Sequence, residues 1–76
     1  MIGWERDMDF EDTNLPWIIP TPNIPTVATT YVYNTTCIFE GTNVAEGRGT
    51  TTPFELVGAP WMKAERLAED LNSYNL

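Results

Sequence analysis

A polar, glycine-rich segment in the middle of the chain, FEGTNVAEGRGT at residues 39–50, holds the side chains best suited to chemistry. Its charged residues are Glu40, Glu46 and Arg48. Hydrolysis of a glycosidic bond uses two carboxyl groups, one protonated to donate to the leaving oxygen and one charged. Glycines let the backbone fold back on itself, so the two glutamates could converge although they are separated in sequence. The segment therefore predicts a pair of catalytic carboxyl groups.

Arg48 could make the two carboxyl groups differ in their pKa. A carboxylate beside a guanidinium is held ionised, whereas a carboxyl lodged against an aromatic ring, such as that of Trp17, Phe54 or Trp61, has its pKa raised. One loop could then supply both an acid and an anion. The pattern does not tell which glutamate is the acid, or whether the reaction retains or inverts the configuration of the sugar.

The same part of the chain offers groups that bind sugars. Trp17 or Trp61 could present a flat face to a sugar ring, and Asn23, Thr42 and Asn43 could exchange hydrogen bonds with hydroxyl groups. A simpler interpretation stays open, in which the polar residues form an ordinary turn with a solvated ion pair. Core packing is the competing explanation for the tryptophans, since Trp61 lies on the apolar face of the helix predicted over residues 60–74.

Composition excludes several classes of function. Eleven acidic and four basic residues give a net charge of -7. This charge repels phosphate backbones and anionic lipid headgroups, so we expect neither nucleic acid nor a membrane to be a partner. With no histidine, the chain cannot build an imidazole zinc site or a serine–histidine pair. Its one cysteine, Cys37, lies in an apolar run typical of a small buried side chain. We expect no metal and no cofactor.

Few elements are available to position these groups. Four prolines make residues 15–26 a stiff, extended loop. Residues 40–52 form the polar loop, and short runs rich in apolar residues at 35–39 and 52–58 predict a strand on either side of it. Apolar residues spaced three and four apart predict an amphipathic helix over 60–74, with one face that must pack on something.

Three motifs carry a resemblance to a known family. GWERDM, LPWIIPTPNIPT and FEGTNVAEGRGTTTPFELVGAPW resemble, in this order and with similar gaps, a segment of the bacterial exo-β-N-acetylmuramidase family of the NamZ type, formerly a domain of unknown function. The likeness covers roughly residues 3–71. Ala45 and Thr21 depart from it, because serine is expected at both positions.

The resemblance implies a glycosidase that removes terminal N-acetylmuramic acid from peptidoglycan fragments. The fold it implies is α/β, with the whole chain, residues 1–76, as a single partial domain, an internal segment of a larger, Rossmann-like layered enzyme. It also favours a short helix over a strand at residues 26–33. The implied partners are a peptidoglycan-derived amino sugar and the remainder of the parent enzyme, without which the chain is expected to be inactive. The implied location is periplasmic or extracellular.

For the site, the resemblance favours Glu40 and Glu46 as catalytic or substrate-contacting carboxylates. Arg48 would orient one of them or meet the lactyl carboxylate of muramic acid, and Asn23 and Asn43 would contact the sugar. The alternative is a non-catalytic carbohydrate-binding or structural α/β module, in which the same charged residues stabilise a loop.

Overall fold

Two helices and two short 3₁₀ turns make up the regular structure of the chain. The computed structural model describes residues 2–75. In chain order, its elements are a 3₁₀ turn at Phe10–Thr13, helix α1 at Val27–Thr36, a second 3₁₀ turn at Cys37–Phe39 and helix α2 at Ala64–Asn72. Residues 15–26 contain only bends, turns and extended backbone.

The predicted α/β fold with short strands is wrong. Residues 2–75 contain no strand and no sheet, hence no Rossmann-like layer, and a single antiparallel bridge joins Ala45 to Gly58. Residues 35–39 instead complete α1 and form the second 3₁₀ turn, while 52–58 consists of bends, turns and irregular backbone ending at the bridge residue Gly58. A strand requires a neighbour that satisfies its backbone groups along its length, and one bridge cannot supply this.

Helix α1 forms although six of its ten residues are β-branched. Thr26 caps it, because its side-chain oxygen accepts a hydrogen bond from the backbone N–H of Thr29 at 3.2 Å. The hydroxyls of Thr30 and Thr36 donate to carbonyl groups one turn earlier in the helix. These local bonds and the burial of Thr29 offset the weak helix propensity of the segment. The helix runs on to Thr36, beyond the 26–33 expected from the resemblance.

Helix α2 lies inside the segment for which the sequence predicts a helix, residues 60–74. It begins at Ala64, after a turn closed by the hydrogen bond from the N–H of Met62 to the carbonyl of Ala59. Three of the large apolar side chains along and beside it, Trp61, Leu71 and Tyr74, are exposed, whereas Leu67 is half-buried. Neither helix within residues 2–75 is long and apolar enough to cross a bilayer.

The core is very small and lies beneath the polar loop. Phe54, 3% exposed, is the buried large apolar side chain of residues 2–75, and it is accompanied by Thr29, Glu46 and Pro53. The radius of gyration is 15.5 Å, against about 11 Å for a compact domain of this length. The chain is therefore open, and its packing is concentrated where α1 meets the polar loop.

Candidate functional site

A cleft of about 200 Å³ lies between the proline-rich loop, α1 and the polar loop. We call it the polar cleft. It brings together three of the site residues predicted from the sequence, Asn23, Glu40 and Arg48. Its other lining residues are Thr21, Ile24, Tyr33 and Phe54.

Glu46 forms the buried side of the charged cluster. The residue is 8% exposed, and Nε of Arg48 donates a hydrogen bond to its Oε1. That bond lowers the pKa of Glu46 below its usual value of 4.5, although partial burial acts in the opposite direction. The backbone holds the residue in place, because Ala45 bridges to Gly58 and the N–H of Phe54 donates to the Glu46 carbonyl.

Glu40 forms the cleft-facing side of the same cluster. Its Oε2 lies 3.7 Å from Nη2 of Arg48, and its side chain is 38% exposed, against 10% for that of Glu46. Both carboxylates thus contact one guanidinium, the first loosely and the second by a direct hydrogen bond. Glu46 and then Glu40 raise the pKa of Arg48, so the guanidinium stays charged. The polar loop supplies a cluster of three charges with a net charge of -1.

Phe54 supports the cluster from below. Its ring meets that of Tyr33 edge-on, with centroids 4.8 Å apart, and the Arg48 guanidinium carbon lies 5.9 Å from its centroid. The backbone of Phe54 has φ of 64°, a left-handed conformation that is unfavourable for a bulky side chain. Such strain persists only where the surroundings enforce it, and here the buried ring and the hydrogen bond to Glu46 do so.

Tyr33 is a cleft residue that sequence reasoning did not select. The negative charge of Glu40 is the largest cause that raises its pKa above 10.0. The available signal was helical spacing: Tyr33 follows the buried Thr29 by four residues, so the two share one face of α1. To predict Tyr33 as a cleft residue, one must also know that this face of α1 packs against the polar loop. The spacing of residues along one helix does not give that information.

Three predicted binding residues do not line the polar cleft. Trp17 packs edge-on against Phe10 at 5.3 Å, and its Nε1 donates to the carbonyl of Pro25 at 2.9 Å. The hydroxyl of Thr42 donates to the Phe39 carbonyl at 2.6 Å, so it closes a turn. Asn43 is exposed beside it.

The acidic side chains do not form a metal centre in the part of the chain that the structure describes. No group of three or more cysteine, aspartate and glutamate side chains within residues 2–75 is placed to hold an ion. The charged cluster is instead built around the Arg48 cation, which both glutamates contact.

Comparison with known proteins gives two matches. A family model described as "Exo-beta-N-acetylmuramidase NamZ, C-terminal" matches residues 31–76. A Bacillus subtilis (strain 168) protein named "Peptidoglycan beta-N-acetylmuramidase NamZ" is 59% identical over all 76 residues, and the chain spans 18% of that relative's length. No solved structure matches the chain.

Proposed function

Because the chain belongs to the exo-β-N-acetylmuramidase NamZ family, C-terminal part, we propose that it acts within a longer glycosidase and supplies the polar cleft as a sugar-binding and catalytic surface. The substrate is a peptidoglycan-derived amino sugar, in keeping with the name of the Bacillus subtilis relative. On this proposal, the reaction is hydrolysis of the glycosidic bond that holds a terminal N-acetylmuramic acid.

The observation that carries the proposal is the meeting of Asn23, Glu40 and Arg48 in one cleft, with Glu46 fixed behind the arginine. Carboxylate, amide and guanidinium groups are the usual partners of sugar hydroxyls. The cleft, at about 200 Å³, is smaller than the roughly 300 Å³ at which ligand pockets begin. It accommodates part of a sugar, and the remaining contacts come from elsewhere in the longer protein.

The two glutamates differ enough to take different roles in a carboxylate pair. Glu40 borders the cleft with a partly exposed carboxyl group and is the one that reaches the glycosidic oxygen. Glu46 is the charged member, since its hydrogen bond with Arg48 lowers its pKa. It acts from behind the arginine, which it holds towards the cleft.

Arg48 and Asn23 orient the sugar. Arg48 uses one N–H on Glu46 and makes only a loose contact with Glu40, so its remaining donors are free for hydroxyl, amide or carboxylate oxygens of a muramic acid. Because the cluster has a net charge of -1, neutral hydroxyl and amide groups are favoured over a ligand carboxylate. Thr42, Asn43 and Trp17 contribute only if the loops that carry them move towards the cleft.

A chimera tests the proposal. The 76-residue segment of the Bacillus subtilis relative that matches this chain is replaced by this chain. Hydrolysis of a chromogenic β-glycoside of N-acetylmuramic acid is then measured for the chimera and its Glu40→Gln variant, numbered as here. We expect Glu40→Gln to lower kcat about a hundredfold or more, as loss of general acid–base catalysis does.

The matched control is Glu69→Gln, which removes a carboxylate from the exposed surface of α2. It is expected to leave both the rate and the melting temperature unchanged. A chimera that melts as a folded protein but has no activity contradicts the proposal. Full activity in Glu40→Gln also contradicts it, and would leave the segment as a binding or structural module.

A further inference from the structure

Tyr33 lies in the polar cleft, and the proposed function assigns it no role. We infer that Tyr33 is a positioning residue, whose phenol O–H orients the Glu40 carboxyl group at the mouth of the cleft. The inference rests on the proposed function, because it acts through the same carboxyl group. It adds a fifth functional side chain, from α1, to a site otherwise supplied by two loops.

Rigid elements hold the phenol in place. Tyr33 lies within α1, whose first turn is capped by Thr26 and buried at Thr29. Its ring meets the buried Phe54 ring at 4.8 Å and an interplanar angle of 78°. A side chain fixed by a helix and an aromatic contact can direct a hydrogen bond more closely than a loop residue can.

The Glu40 carboxyl group, by contrast, is held only loosely by Arg48. Its distance of 3.7 Å to Nη2 of Arg48 exceeds the length of a hydrogen bond. A partly exposed ion pair of this kind leaves the carboxyl group several rotamers, whereas proton transfer requires one geometry. Among the cleft-lining side chains, Tyr33 and Thr21 carry hydroxyl groups. The negative charge of Glu40 is the largest cause that raises the pKa of Tyr33.

The charge of Glu40 is the largest electrostatic influence on that phenol. Glu40 and Cys37 raise the pKa of Tyr33 above 10.0, Glu40 the more strongly, and burial adds to the effect. Arg48 acts in the opposite direction but does not reverse the shift. A tyrosine phenol is protonated at neutral pH even at its ordinary pKa of about 10, so the O–H is present as a donor, and a carboxylate oxygen is its natural acceptor.

Tyr33→Phe in the chimera provides the kinetic test. The substitution keeps the ring against Phe54 and removes only the hydroxyl, so folding is preserved. We expect kcat to fall about tenfold, the equivalent of one hydrogen bond lost in the transition state, with KM changed by less than about twofold. In the Glu40→Gln background, Tyr33→Phe should cause no further loss, because the two residues act as a unit.

Tyr31→Phe is the control, since Tyr31 lies on the same helix and its hydroxyl donates to Glu11 at 2.8 Å, outside the cleft. Its kcat is expected to match that of the unmodified chimera. Tyr33→Phe with unchanged kcat overturns the inference, as does a purely additive loss in the double variant.

A spectroscopic titration tests the contact without reference to activity. The absorbance change of Tyr33 at high pH is obtained by subtracting the titration of the Tyr33→Phe chimera from that of the unmodified chimera. In the Glu40→Gln background the midpoint should fall towards 10.0, the ordinary tyrosine value, because the neighbouring charge is gone. An unmoved midpoint overturns the inference.

The outcomes separate the two proposals. If Glu40→Gln stays fully active, the proposed function fails whatever Tyr33→Phe does. If Glu40→Gln is inactive while Tyr33→Phe is fully active, only the role of Tyr33 fails.

Discussion

Single residues in the charged cluster owe their properties to what surrounds them. Glu40 and Glu46 are the same residue type, in the same loop, against the same arginine. Their side chains nevertheless differ about fourfold in exposure, 38% against 10%. An ion pair adds little stability when the carboxylate is partly exposed to water. A buried carboxylate, in contrast, is costly to the fold unless a hydrogen-bond partner compensates for the lost water. The two glutamates are therefore expected to respond differently to substitution, Glu40 in rate and Glu46 in stability.

Lowering the pH should reveal how much the ionised Glu46 contributes to the stability of the fold. Because the pKa of Glu46 in the folded chain lies below its usual value of 4.5, its ionised form stabilises the fold at neutral pH. That stabilisation is present above pH 4.5 and is lost as the pH falls through the folded-state pKa. Glu46→Gln, which cannot ionise, should lower the melting temperature of the chimera most at pH 7, and the difference should narrow towards pH 3.

Thermal melting of the two proteins between pH 7 and pH 3 measures this effect. Glu69→Gln, on the exposed surface of α2, is again the control and should follow the unmodified chimera at every pH. If the difference in melting temperature between Glu46→Gln and the unmodified chimera stays constant with pH, the ionisation of Glu46 makes no contribution to stability.

At the level of elements, backbone hydrogen bonds close the segment that contains the polar loop, although it forms no pair of strands. The bridge between Ala45, within the loop, and Gly58, beyond it, has hydrogen bonds of 2.8 and 2.9 Å and closes the segment 45–58 on itself. Within this segment, the backbone carbonyl of Glu46 accepts a hydrogen bond from the N–H of Phe54, whose ring lies beneath the Arg48 guanidinium. Gly47 follows immediately, with φ of +83°. The geometry of the cluster therefore depends on the close backbone approach at this glycine.

Gly47→Ala should disturb the loop more than Gly49→Ala. Both glycines have left-handed φ, so alanine costs about 1 to 2 kcal/mol at either position. At Gly47 the added Cβ would also lie 3.2 Å from Cβ of Leu56 and 3.3 Å from the Thr52 carbonyl, whereas at Gly49 nothing lies within 4 Å. The melting temperature and kcat of the chimera should therefore both fall further for Gly47→Ala, because Glu46 is displaced.

Gly49→Ala is itself the matched control, since it repeats the backbone strain without the close contact. Equal losses in the two variants would mean that backbone conformation, and not the approach of Leu56 and Thr52, determines the effect.

The whole molecule has far more apolar surface than it covers. Eleven large apolar or aromatic side chains of residues 2–75 are exposed, among them Ile18, Ile38 and Trp61, the last at 63%. The dimensions of 49 × 30 × 19 Å are those of an elongated body. Burial of apolar surface is the main favourable contribution to folding, and here it rests largely on Phe54. Such a chain gains most of its stability from whatever covers its apolar side chains.

The isolated 76-residue chain should accordingly be weakly folded. We expect a broad, poorly cooperative thermal transition by circular dichroism and strong fluorescence of the apolar dye ANS, because exposed apolar surface binds the dye. The chimera, which on the proposed function covers these side chains, should melt cooperatively and bind little dye. A sharp transition of the isolated chain with no dye binding would contradict this expectation.

Much of the site could be anticipated because its signals are local in sequence. Motifs of a few residues indicated the family, and the family match confirms that prediction. The glycines around Glu40 and Glu46 indicated a loop that can turn back, and both glutamates contact Arg48. Catalytic roles for them stay predictions.

What the sequence by itself determined is therefore the family, the charge and histidine content, and the list of candidate residues for a sugar site, since each depends only on residue type and order. The tertiary structure alone decided that residues 35–39 and 52–58 form no strands. β-branched propensity presumes a neighbouring strand, whereas the cap at Thr26 and the burial of Thr29 favour a helix. The tertiary structure also placed Tyr33 in the cleft and Trp17 outside it, against Phe10. The contacts that form the cleft join segments that are distant in sequence, so they depend on how the elements pack and not on a local sequence pattern.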